Sequence, residues 1–216
     1  MEEILDQYGS LLKEVDAWFT RAAAAHPEQI RCGKGCSGCC RGLFDITLLD
    51  ALYLQQGGLK LPLTVREDVL VRARQRVAAI TVQWPEFSQP YLLNHRTEEE
   101  WQELMPEDDE TPCVLLDDNG HCLVYEYRPM TCRLHGLPLV DVGGELMHDE
   151  WCTENFQGVD PLGLAGLEGE FDRFFHEEVR LDRELSLLLS GRIICELDTV
   201  IPAALLIDFP NIKLPS

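Results

Sequence analysis

Positive charge is scarce in this chain: its 216 residues hold 18 Lys and Arg against 38 Asp and Glu, a formal net charge of -20. Nucleic acid and anionic membrane surfaces both require a basic face that displaces counterions, so neither is expected as a partner. Long apolar runs are missing as well, and no stretch reaches the roughly 20 residues that a membrane-spanning helix needs. The acidic start Met1-Glu2-Glu3-Ile4-Leu5-Asp6 lacks the basic and apolar regions of a signal peptide, and a cytoplasmic location is expected. Also absent are a G-x-S-x-G elbow, a phosphate-cradling glycine loop and an H-E-x-x-H pair, so no hydrolase, nucleotide-binding or zinc-protease signature directs the reading.

Cysteine, by contrast, is abundant, with nine in the chain. In a reducing compartment that number is poorly explained as a disulfide framework, which shifts weight to metal or redox chemistry. Four of the nine fall in Cys32-Gly33-Lys34-Gly35-Cys36-Ser37-Gly38-Cys39-Cys40, interleaved with glycine. Glycine raises the entropic cost of ordering a backbone and offers no side chain to bury, so apolar packing does not explain this loop. Thiolates converging on a soft metal would hold it, the glycines letting several sulfurs turn to one place.

The remainder, 45% hydrophobic overall, is enough for a packed core. The expected fold class is mainly α with a small β-hairpin subdomain (α+β), as a single domain over 1–216. Its cysteine-cluster core lies at about 30–155, between an N-terminal helix over 3–27 and a C-terminal helix over 166–190. Leu5, Tyr8, Leu11, Leu12, Val15, Trp18 and Phe19 recur at helical spacing in the first helix, and Leu167, Phe171, Phe174, Phe175, Leu181, Leu185 and Leu188 do so in the last. A second helix is read from Leu43 to about Leu54, with Asp45 or Thr47 as N-cap and Gly57-Gly58 ending it. A third runs from Leu63 to about Val82, with Arg66, Arg72, Arg74 and Arg76 on a solvated face. From Trp84 to Thr111 the pattern weakens to an exposed connector, with a capping box at Thr97-Glu98-Glu99-Glu100 and a solvated acidic run Glu107-Asp108-Asp109-Glu110.

Pro112 to Tyr125 reads as a hairpin about Asp118-Asn119-Gly120. A two-residue turn sets Asp117 opposite Cys122, and a four-residue loop sets Leu115 there. Either places Cys113 and Cys122 on one face, about 13 Å apart in the first case and about half that in the second, at roughly 3.3 Å per strand residue. A second hairpin is expected across Gly143-Gly144. Cys195, in Ile193-Ile194-Cys195, reads as a buried small hydrophobe.

Cys32-x3-Cys36-x2-Cys39-Cys40, then Pro112-Cys113, then Cys122-Leu123-Val124-Tyr125-Glu126-Tyr127-Arg128-Pro129-x2-Cys132-Arg133, together resemble the YkgJ-type CxxCxxCC cysteine-cluster family, a zinc- or iron-chelating domain. The resemblance covers roughly residues 30 to 155. It implies Cys32, Cys36, Cys39, Cys40, Cys113, Cys122 and Cys132 as motif positions, with Cys152 at a later one. One relative, the flagellin lysine-N-methylase, is thought to carry an iron–sulfur cluster and use S-adenosylmethionine, and it is longer than this chain.

Zinc takes four ligands in a tetrahedron, whereas a [4Fe–4S] cube takes four thiolates spread over several ångströms, which suits one loop plus a distant cysteine. Seven or eight candidates exceed one centre: either there are two sites or some thiols are structural. A [4Fe–4S] cluster is read ahead of zinc or mononuclear iron because Arg31, Lys34, Arg41, Arg128 and Arg133 lie beside the cysteines in an otherwise acidic chain, where cations offset the charge of thiolates. His135 and His148 have spacings zinc tolerates. The expected function is a metal-binding protein with a structural, sensory or electron-transfer role, the partner being metal and a protein substrate or redox partner. The alternative is an iron–sulfur- and S-adenosylmethionine-dependent protein (lysine) methyltransferase-like enzyme.

Overall fold

A computed structural model describes residues 1–215 apart from 95, 96, 98, 101, 102, 104 and 107. The class is α+β, with helices predominating over short antiparallel strand pairs. The chain divides into two compact units, the first comprising Met1–Cys36 and Met130–Leu181 and the second Ser37–Pro129 and Asp182–Ser216.

The first unit is built on α1 (Glu2–Ala25), whose stripe of Tyr8, Leu11, Leu12, Val15, Trp18 and Ala22 is buried as the helical period dictates. Trp18 meets Phe171 edge to face at 4.8 Å between centroids, and its Nε1 donates to Leu167 O at 2.8 Å. The indole's polar atom therefore remains satisfied inside the core. Short helix α4 (Met130–Leu134) packs on α1, with buried Arg133 paired to Asp16. Strands β2 (Leu139–Val140) and β3 (Leu146–His148) form the hairpin expected across Gly143-Gly144. The last long helix, α5 (Phe171–Ser190), begins later than the expected 166. In the preceding loop Gly169 sits where a Cβ would lie 2.7 Å from the Phe171 ring, and Gly169 bonds to Val140 and Val142.

In the second unit, residues 45–47 depart from the expected helix. Asp45–Thr47 is strand β1, paired antiparallel with β4 (Asp198–Val200). The helix, α2 (Leu48–Leu59), starts after it, with Thr47 capping the Asp50 amide at 3.0 Å. Nor do Gly57 and Gly58 end that helix. Both are buried inside it, and a Cβ on Gly57 would stand 2.5 Å from Tyr127 Cβ. Helix α3 (Leu63–Gln83) matches its expected span. Two of its arginines are engaged rather than solvated: Arg72 donates to Leu116 O at 2.7 Å, and Arg76 pairs with Asp109.

The segment after α3 is not an exposed connector. Trp84, Phe87 and Leu93 bury themselves with Val77, Ile80, Val200 and Ala203 of α3, β4 and α6 (Ile201–Ala204). The Thr97–Glu100 capping bonds form, Thr97 N to Glu100 Oε2 at 3.0 Å and Glu100 N to Thr97 Oγ1 at 3.4 Å, while Glu98 and Glu107 lie outside the described residues. Asp182 and Asp198 meet in this unit beside Asp50; burial first, and then the neighbouring acids, push both carboxyls up to about 7. Asp182 Oδ1 is buried with no hydrogen-bond partner among the described residues.

Candidate metal centre

The glycine-rich loop resolves into two successive tight turns, closed by Cys36 N to Gly33 O at 2.9 Å and by Cys40 N to Ser37 O at 3.0 Å. The first turn belongs to the first unit and the second to the second unit, so each unit receives its own pair of loop cysteines.

In the first unit the organiser is Asn155, only 2% exposed. Its Oδ1 accepts from Arg31 N at 2.9 Å and Cys32 N at 3.3 Å; its Nδ2 donates to Gly136 O at 2.7 Å and reaches Cys32 Sγ at 3.2 Å. The amide thereby ties the loop to the segments that follow Cys132 and Cys152. Cys152 N also bonds Gly136 O at 3.3 Å, and Asn155 N bonds Cys152 O at 2.9 Å. Gly136 carries φ +109, and a Cβ there would meet Cys32 Sγ at 3.3 Å and Cys152 Cβ at 3.8 Å. A side chain at 136 would therefore be strained in its backbone and would crowd the sulfur. Burial, then the neighbouring Cys152 and Cys36 sulfurs, push the Cys32 thiol up to about 12, while the Asn155 hydrogen bond opposes them.

In the second unit the organiser is backbone pairing. Cys113 N donates to Cys40 O at 2.8 Å, Gly42 N to Thr111 O at 2.9 Å, and Arg41 bridges Pro112 antiparallel. The loop is thus stitched to the hairpin segment some seventy residues on. The hairpin takes neither expected register. Leu116, not Asp117 or Leu115, bridges Cys122, and Asp117 N donates to His121 O at 2.9 Å around a three-residue loop in which Gly120 has φ +78. In a continuous strand this odd register would set Cys113 and Cys122 on opposite faces. A turn closed by Leu116 N to Cys113 O at 3.1 Å breaks the strand instead, and the two cysteines remain electrostatic neighbours. Burial pushes the Cys113 thiol up to about 11; nearby Cys122 adds to the rise and Arg72 opposes it.

All nine cysteines are thiols: Cys32, Cys40, Cys113, Cys122, Cys132 and Cys152 half-buried, Cys36, Cys39 and Cys195 exposed. Cys195 is therefore not the buried hydrophobe expected of it; Ile193 beside it is 61% exposed. Among the described residues no three Cys, His, Asp or Glu side chains close into a ready cage for a single ion. Cys32 with Cys152 and Cys113 with Cys122 are drawn together as pairs, with Cys36 beside the first pair and Cys40 backbone-bonded to the second. Of the basic residues beside the cysteines, Arg41 pairs with Glu110, Arg133 with Asp16, and Arg128 stacks 3.8 Å from the Tyr125 ring. Arg31 and Lys34 are exposed. His121, His135 and His148 are exposed as well.

Sequence reasoning missed Asn155 and Arg72. Neither falls in a recognisable pattern: Asn155 reads as a loop asparagine and Arg72 as one of several solvated arginines.

A family model described as "putative zinc- or iron-chelating domain", CxxCxxCC, matches residues 31–153. Comparison with curated proteins gives no match, and comparison with solved structures gives none. Among the described residues no helix is long and apolar enough to cross a membrane. The match runs from the glycine-rich loop through Cys152 and takes in every cysteine except Cys195, and by it the chain belongs to the CxxCxxCC family of zinc- or iron-chelating domains.

Proposed function

We propose that this protein holds metal through Cys32, Cys36, Cys39, Cys40, Cys113, Cys122, Cys132 and Cys152, as iron–sulfur in preference to zinc, in a structural, sensory or electron-transfer role. The observation that carries the reading is the stitching of the cysteine loop to remote cysteine segments. Asn155 does this on one side and the Cys40–Cys113 backbone bond on the other, both in a loop whose glycines offer little to a hydrophobic core. Such effort spent on placing thiols fits a donor set.

The donor chemistry fits as well. Every candidate is a thiol, and all-cysteine sets serve both zinc and iron–sulfur cubes. A single zinc ion holds its sulfurs at about 2.3 Å, so its thiolates crowd against one another. The preference for iron–sulfur rests on Arg31 and Lys34, which lie in the cysteine loop of an otherwise acidic chain and would offset the charge of a thiolate-ligated cluster. Asn155 would orient the Cys32 sulfur and donate to it, and Arg72 would offset charge near Cys113. A bound cluster would supply one-electron chemistry or a rigid cross-link. The methyltransferase-like alternative gains no support from the geometry or the comparisons.

Anaerobic purification followed by metal, acid-labile sulfide and absorbance analysis tests this. Brown protein with broad visible absorbance and matched iron and sulfide is expected. Colourless protein holding only zinc would overturn the choice of metal, and protein that takes up neither would overturn metal binding itself.

A further inference from the structure

We infer that the chain carries two separate four-thiolate centres, one from Cys32, Cys36, Cys132 and Cys152 and the other from Cys39, Cys40, Cys113 and Cys122. The inference rests on the metal-binding reading above and deepens it.

The division of the fold falls between Cys36 and Ser37 and again between Pro129 and Met130, and it sorts the cysteines of the family region four to each unit. Four is also the number of thiolates that one zinc ion or one cube takes. In each unit two donors come from the glycine-rich loop and two from later in the chain, and the bonds that join loop to later chain stay within the unit. In the first, Asn155 and Gly136 gather the chain around Cys32 and Cys152, and Gly136 follows four residues after Cys132 at the end of α4. In the second, the Cys40–Cys113 bond and the Leu116–Cys122 bridge gather Cys40, Cys113 and Cys122, Cys39 lies next to Cys40 within the same turn, and Gly120 at the hairpin tip would meet Ser37 Oγ at 2.8 Å if it bore a Cβ. The run of closely spaced cysteines thus reads as two half-sites laid end to end, each completed from its own unit.

Metal content per chain decides the matter, measured anaerobically on wild type and on two double variants, Cys132→Ser/Cys152→Ser and Cys113→Ser/Cys122→Ser. Wild type is expected to hold about eight irons, four per cube, or about two zinc ions, with an X-ray absorption signature of sulfur-only protein ligands. Each double variant is expected to lose roughly half of that and keep the rest. If either pair of substitutions removes all the metal, or wild type holds only one centre, the two-centre arrangement is overturned while metal binding stands. If a pair removes none, those cysteines are not ligands and the assignment falls. Wild type that binds no metal at all would instead sink the underlying reading. Should a double variant fail to fold, the wild-type count and its absorption spectrum still discriminate between one centre and two.

Discussion

The two cysteine sets are arranged by different means. In the first unit one buried side-chain amide, that of Asn155, holds Arg31, Cys32 and Gly136 together. In the second, main-chain pairing between residues 40–42 and 111–113 does the equivalent work. A side-chain node depends on one residue and is lost with it, whereas a backbone ladder is indifferent to most side chains. The first set should therefore be the one that single substitutions loosen, and the second the one that survives them.

The largest expected effect comes from stripping metal with an anaerobic chelator, since a metal bound through the folded thiol set adds its binding free energy to the folded state. Hydrogen exchange should then show the Cys113 amide, bonded to Cys40 O, still protected while the Cys32 amide, bonded to the Asn155 side chain, exchanges faster. Equal loss at both amides would break the contrast. Next in size is Asn155→Leu, which leaves buried partners of the amide unpaired and should cost about 3 kcal/mol in denaturant unfolding. Alkylation of Cys32 and Cys152 should quicken in this variant with Cys113 unchanged.

A smaller effect separates the units by pH. The Asp182 and Asp198 carboxyls are pushed up to about 7 from 3.8, burial being the main cause, so the folded second unit holds protons that the unfolded chain has released. Their contribution to stability is fully present below about pH 4 and is lost as pH rises through about 7. The unfolding midpoint should fall as pH rises between 5 and 8, and Asp182→Asn should flatten that dependence. The smallest expected change is from Gly57→Ala, about 1–2 kcal/mol from overpacking against Tyr127, with the thiols of the first unit unaffected. Accelerated Cys32 alkylation in that variant would blur the contrast between the units.

What could be read from the sequence follows from range. Helices α1, α3 and most of α5 announce themselves by their own periodicity, and α1 buries the stripe that its spacing predicts. Strand β1 does not, because its partner β4 lies about 150 residues away and only pairing makes Asp45–Thr47 extended. The hairpin at Gly120 was visible, but its register was not. A three-residue loop differs from two- and four-residue loops by local backbone energy, and the turn after Cys113 has no marker of its own. The cysteine motif was legible residue by residue. Its division into two groups was not, since Cys36 and Cys39 are near neighbours in the chain and only the folded contacts assign them to different units. Asn155 is the sharpest case: its importance lies in four hydrogen bonds to groups remote in sequence or in loops, none of which a string of letters displays.

The pocket in α2 at Gly57 has a consequence for how the Cys122 to Arg128 stretch is located. Tyr127 rests where α2 has no side chain, its Cβ 2.5 Å from the place a Cβ on Gly57 would take, and its ring stands 5.1 Å from that of Tyr53. The short turn Tyr125–Tyr127 is seated by a missing methyl group much as a key is seated by its notch. The helix thus sets the position of the chain that follows Cys122 by a gap in its surface.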